Sequence, residues 1–246
     1  MKTKNILVLA GLLMSASLFS QIHLFLEEQE ILLKDGKVTG WVFPATGTQD
    51  EVLDDMKDYL KERSDLKLKK GGEHLLIAEK VSLPAITTKR GDLIGSCQIK
   101  EQYYAMSVIF KLGYDISVNT AEWPTEMESL RNYVKAFMAY HYEQVYARRI
   151  KDLEKQIKDV EKDRKQAEGK IASMTNKINN LGKKIAKESE TAKINTYQSD
   201  INTLEADMKQ QLDTLPVLDE KINDLNKQLD QNRLESNTYL STINTF

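Results

Sequence analysis

The residues of this chain with the widest chemical repertoire are three histidines, a single cysteine and a cluster of aromatic side chains. His23, His74 and His141 lie far apart, and none has the i, i+4 His pair or the Cys/His spacing that would hold zinc. Each reads as a satisfied structural or surface histidine. Cys97 has no partner for a disulfide and reads as a small apolar core residue. Tyr140, His141, Tyr142 and Tyr146 are dense in sequence, yet helical spacing spreads them over several faces, which favours packing over a ligand box. Arg90-Gly91-Asp92 spells an adhesion tripeptide, but a polar turn between strands produces the same letters. There is no nucleophilic serine motif and no glycine-rich phosphate loop. The expectation is a chain without catalytic residues, cofactor or metal. Carboxylate pairs assembled by the fold would be the one route to an enzyme, and they would come from the N-terminal half.

The elements that would position any site are dominated by two heptad ladders. The first runs Ile150, Leu153, Ile157, Val160, Arg164, Ala167, Ile171, Met174, Ile178, Leu181, Ile185. The second runs Ile194, Tyr197, Ile201, Leu204, Met208, Gln211, Leu215, Leu218, Ile222, Leu225, Leu229, Asn232. Spacing that alternates three and four makes a seam that buries helix against helix. Continued as one helix, Ile194 would follow Ile185 by about 900° at about 100° per residue, on the opposite face. A hairpin reversing near Thr191, with the turn within 188–193, explains the break and the matched ladders together.

Pairing Ile185 with Tyr197 and Leu181 with Ile201 also brings Lys184 to Asp200, Lys177 to Asp207 and Asp163 to Lys221, all of opposite sign. An arm about 50–60 Å long results. Seam residues Ile157, Val160, Arg164, Ile171, Met174, Ile178, Ile201, Leu204, Met208, Leu218, Ile222 and Leu225 are the candidate interaction residues. Arg164 falls in the seam opposite Leu218, with Pro216 close by, either as a snorkelling cation beside a bend or as a local docking point. Gly169, Gly182, Asn176, Asn179 and Asn180 weaken helix propensity toward the tip.

The N-terminal half reads as α+β. Ile31 to Phe43 forms a hairpin around Asp35-Gly36. Thr48 and Glu51 form a capping box for a helix whose stripe is Val52, Leu53, Met56, Tyr59 and Leu60. Strands are expected at His74–Ser82, Asp92–Gln98 and Tyr103–Leu112, with a short one at Tyr114–Val118, separated by Gly71-Gly72, Arg90-Gly91-Asp92 and Gly113. Short connections predict one antiparallel sheet covered by helices. A second capping box, Thr125 with Glu128, opens a long helix whose first stripe is Leu130, Val134, Phe137, Met138 and His141. That helix would run on into the first ladder and serve both halves. The same register carries Tyr142 and Tyr146 toward Leu240 and Ser236, returning the tail to the first half.

Lys2 and Lys4, the apolar run Ile6–Met14 and the small or polar Ser15, Ala16, Ser17 and Ser20 read as a secretory signal. The run is shorter than the ~20 residues of a membrane-crossing helix, so no integral span is expected. The organisation is then 1–20 signal peptide, 21–147 α+β domain, 148–235 antiparallel coiled-coil hairpin and 236–246 tail. Lys and Arg total 35 against 37 Asp and Glu, with the signs interspersed, which offers nucleic acid no basic face.

The order of hairpin, helix, strands and helix over residues 30–147 resembles the TBP-like domains of uncharacterised exported bacterial proteins; that resemblance implies a scaffold and no particular activity. A small body with coiled-coil arms is similar in plan to the Skp-type periplasmic chaperones, which implies holdase action, although this chain has a larger N-terminal domain and balanced charge. The sequence as a whole points to an exported, periplasmic, non-enzymatic interaction protein whose arm binds a protein partner or a second copy. A ligand-binding or catalytic α+β domain with the arm used only for assembly is the alternative.

Overall fold

A computed structural model describes residues 23–34, 36–72, 74–100, 103–112 and 116–246. The expected signal segment 1–20 lies outside them. The chain is α+β: a six-stranded antiparallel sheet with helices, followed by a helical hairpin. Two compact units are defined, residues 1–145 with 238–246 and residues 146–237.

In the first unit, β1 (Glu27–Leu33) pairs with β2 (Gly36–Ala45) as the expected hairpin. α1 (Gln49–Ser64) follows, opened by the Thr48–Glu51 capping box: Thr48 N–H donates to Glu51 Oε2 at 2.6 Å, and Glu51 N–H to Thr48 Oγ1 at 3.3 Å. β3 (Lys69–Gly72), β4 (Leu75–Leu83), β5 (Thr87–Ile99) and β6 (Tyr104–Lys111) complete a sheet of order β1-β2-β6-β5-β4-β3. Every neighbour is antiparallel, as short connections require. Of the expected strand at 114–118, residues 114 and 115 lie outside the described set, and Ser117 makes an isolated bridge with Lys111.

Period-two alternation gives the sheet two apolar faces. Phe43, Leu93, Cys97, Met106, Val108 and Phe110 are buried with the α1 stripe and with Leu130, Val134, Phe137 and Met138 of α2 (Pro124–Ile185). On the other face Ile31, Val38, Val42, Ile94, Ala105 and Ile109 form a second cluster. Leu33 from edge strand β1 and Leu75 and Ile77 from β4 pack on that same cluster, so the sheet curls and covers this face with its own side chains. One antiparallel sheet with helices is what the sequence predicts, and the structure adds this second cluster on its other face.

Two separators also prove to be strand. Gly71-Gly72 ends edge strand β3, and Arg90-Gly91-Asp92 lies inside β5. The chain turns before β5 instead, where Ile86 N–H donates to Leu83 O at 2.8 Å. At Gly91 a Cβ would stand 2.3 Å from Lys111 O and 2.7 Å from the Phe110 ring, so the residue is a close approach of two strands rather than a turn. Asp92 Oδ1 accepts from Lys80 N–H at 2.7 Å, tying β5 to an irregularity of β4 where Lys80 has φ 53°. Gly91→Ala is therefore expected to cost about 1–3 kcal/mol of stability, measured as a lowered denaturation midpoint, because the obstacle is a backbone oxygen.

α2 opens one residue before the expected capping box. Pro124 occupies the first helical position, where its missing N–H costs nothing, and Met127 N–H donates to Trp123 O at 2.9 Å. Thr125 lies within the helix, and Glu128 pairs with Arg131 at 3.3 Å. α3 (Thr191–Asn244) is helical through most of the stretch read as a tail. Within the first unit its end is tied down: Tyr239 stacks on Tyr142 at 5.1 Å, Ile243 is buried, and Lys135 Nζ donates to Asn244 O at 3.0 Å. No helix among the described residues is long and apolar enough to cross a membrane.

Candidate functional site

The first unit brings together one pair that the sequence reading left apart. His141 is fully buried on α2, and its Nδ1 lies 2.7 Å from Oδ2 of Asp55 on α1. Its Nε2 lies 3.0 Å from Thr46 O, an atom that only accepts, so Nε2 carries a proton. Nδ1 and the Asp55 carboxylate are within hydrogen-bond distance. With both ring nitrogens engaged and Phe137 and Tyr142 against the ring at 6.4 and 5.6 Å, the pair has no open face for a substrate. It joins α1, α2 and the loop after β2. A signal existed in the sequence: Asp55 and His141 are the polar members of two apolar stripes, and a buried ionisable group needs a partner.

Other ionisable groups of the core are held protonated by burial. The Cys97 thiol is pushed up to about 12 by desolvation, and the Tyr59 hydroxyl to about 12, by desolvation first and the neighbouring Tyr133 second. Neither is a nucleophile at neutral pH. Described residues of the unit line clefts on its surface. One of about 370 Å³ is lined by Asp50, Asp54, Lys57, Lys70 and His74, with Lys57 already paired to Asp54 at 2.6 Å. Another, of about 140 Å³, has an apolar floor of Val38, Ile77 and Ile94 under Lys34, Lys37 and Lys111. Among the described residues no group of three or more His, Cys, Asp or Glu side chains could hold a metal.

The second unit contains every candidate interaction residue. α2 ends at Ile185 and α3 begins at Thr191, so the reversal falls just before the expected Thr191. Glu188 shapes it, accepting from the N–H groups of Ser189 and Glu190 at 3.1 Å each through Oε1. Leu153, Ile157, Val160, Leu225 and Leu229 form a buried cluster, with Ile150, Leu218 and Ile222 packed on it. Cross-helix contacts of Arg164 with Asp219, Thr175 with Met208 and Lys184 with Tyr197 fit the pairing of Ile185 with Tyr197. Tyr146 OH donates to Glu235 at 3.3 Å, one residue from the expected Ser236.

Burial divides the seam into two parts. Near the base most of it is buried, with Leu153, Ile157, Val160, Ala167, Leu225 and Leu229 covered and Ile150, Leu218 and Ile222 half-buried. Toward the tip Ile171, Met174, Ile178, Leu204 and Met208 are only half-buried, and Ile201 is the buried exception. Two helices alone cannot cover a seam on all sides, and the distal side chains remain open to solvent. Arg164 leaves the seam sideways: Nε donates to Asp219 Oδ1 at 2.6 Å and Nη1 meets Glu168 at 2.8 Å. Its pKa is raised, first by the bond to Asp219, so the snorkelling reading describes it. Pro216 sits within α3, with Leu212 and Val217 exposed beside it.

The expected cross-helix ion pairs do not form. Lys184 Nζ lies over the Tyr197 ring at 5.7 Å instead, a cation–π contact that fits the register. Lys177 and Asp207 line a common cleft of about 290 Å³, with Lys170, Ser173, Met174, Gln210 and Gln211, without making an ion pair. Such exposed pairs are worth only tenths of a kcal/mol, and seam packing outweighs them in setting side-chain positions.

An α+β unit and an antiparallel helical hairpin define the class of architecture. Compared with protein-family models, curated proteins and solved structures, the chain has no significant match.

Proposed function

We propose that this chain is an exported, periplasmic, non-enzymatic interaction protein in which a TBP-like α+β unit serves as scaffold and the coiled-coil arm mediates self-association or binding of a protein partner. The half-buried distal seam carries this reading. Ile171, Met174, Ile178, Leu204 and Met208 keep apolar surface in water although the heptad pattern is uninterrupted there, and covering that surface with another helix is favourable at about 25 cal/mol per Å². The sealed His141–Asp55 pair supports a scaffold role for the α+β unit, since these two side chains hold helices together instead of facing a cleft.

Light scattering over a concentration series tests the reading. The expected result is a mass of two or more chains, falling to one chain in Ile171→Asp and Ile178→Asp variants whose tryptophan fluorescence still reports a folded first unit. A single-chain mass at every concentration removes self-association and leaves a foreign protein partner. Export is tested by cell fractionation with and without residues 1–20; cytoplasmic retention of the intact chain overturns it.

A further inference from the structure

We infer that the distal cleft of the arm is a docking site for a second copy of this chain, the lysine edge of each cleft meeting the aspartate edge of the other. The inference deepens the proposed self-association and rests on it. Distally, α2 carries Lys165, Lys170, Lys177, Lys183 and Lys184 against Glu168. The facing part of α3 carries Asp200, Glu205, Asp207, Asp213 and Asp219 against Lys193 and Lys209. Such a hairpin is basic along one helix and acidic along the other.

Part of this charge is not used within the chain. Among the described residues Lys170, Lys177, Asp200 and Asp207 make no ion pair, although Lys170, Lys177 and Asp207 line the same cleft. Met174 lies between the two edges, half-buried. The site therefore sets Met174, beside Ser173, Gln210 and Gln211, between edges of opposite sign.

That arrangement selects its occupant. A partner of one sign would match one edge and oppose the other. A second copy turned by a two-fold rotation presents Asp200 and Asp207 to Lys170 and Lys177 on one side and the reverse on the other, so a single surface is complementary to itself. Lys170 and Lys177 are separated by seven residues, as are Asp200 and Asp207, about 10.5 Å along a helix, so both lysines can be matched at once. Burial of Met174 with the neighbouring Ile171 and Ile178 supplies the attraction, and the charges set orientation.

The test uses the full chain with two charge-reversed variants, Lys170→Glu with Lys177→Glu and Asp200→Lys with Asp207→Lys. Because these side chains make no ion pairs among the described residues, both variants are expected to keep wild-type helicity by circular dichroism. Each alone is expected to associate at least about 100-fold more weakly than wild type, since like charges now face each other. Mixed in equal amounts, they are expected to restore a two-chain species containing one of each by native mass spectrometry. Wild-type dimerisation should also weaken as salt is raised. If both variants keep the wild-type mass, or if the mixture stays monomeric while each is folded, the cleft is not the docking site and self-association through another part of the arm stands. A wild-type chain that is monomeric throughout overturns this inference together with the self-association on which it rests.

Discussion

Replacing His141 by alanine is expected to destabilise the α+β unit by about 3–5 kcal/mol, the cost of leaving the partner of a buried pair uncompensated. His141 is 0% exposed, and the Asp55 side chain that it contacts at 2.7 Å is 6% exposed, so water cannot replace the lost bond without opening the core. Thr46 O would lose its donor as well. Urea denaturation followed by fluorescence measures the effect, because Trp41 and Trp123, the two tryptophans of the chain, both belong to the first unit. Replacing both partners with apolar residues, His141→Phe with Asp55→Leu, should recover much of the loss, since the buried carboxylate is removed with its partner and only the bond to Thr46 O is missing. A loss below about 1 kcal/mol in His141→Ala would show that water reaches the pair and that it does not knit α1 to α2.

Phe137→Ala should have an effect of similar size, about 3–5 kcal/mol, through a cavity rather than a broken bond. Phe137 is 1% exposed, and its ring lies 5.7 Å from Phe43 and 5.4 Å from Tyr59, so β2, α1 and α2 meet around it. Edge-to-face contact with Phe43 at 74° adds to the lost area. Phe137→Leu, which refills most of the volume, should restore the greater part of the midpoint. Equal losses for alanine and leucine would mean that ring geometry rather than volume holds the site. Neither substitution changes the arm seam, so solution mass should be unaffected at concentrations where the unit is folded.

Much of this fold follows from periodicity. The seam residues from Ile150 to Leu229 are buried or half-buried and most of their neighbours are exposed, because a heptad pattern dictates which side of each helix faces the other. The Thr48–Glu51 box is equally local, involving groups three residues apart. Legibility fails where a residue type serves two purposes. Gly91 reads as a turn glycine, yet it sits in mid-strand because the Lys111 carbonyl leaves no room for a Cβ. Thr125 and Glu128 spell a cap, but Pro124 sets the backbone first. The expected ion pairs followed from a correct register, and solvated lysines did not take them up, since exposed pairs gain too little to hold a long side chain in place.

By itself the sequence determined which faces are apolar, how many helices the C-terminal half makes and where they reverse, since these depend on residues within a few turns of one another. Its charge pattern also determined that the distal arm has one basic and one acidic helix. Only the tertiary structure decided that the sheet carries a second apolar cluster, that Asp55 and His141 are partners across 86 residues, and that the seam is more deeply buried near its base than toward its tip. These depend on distances between segments far apart in the chain, which no local period encodes. The unpaired lysines and aspartates of the distal cleft belong to both: their identities are in the sequence, and their lack of partners is a property of the folded arm.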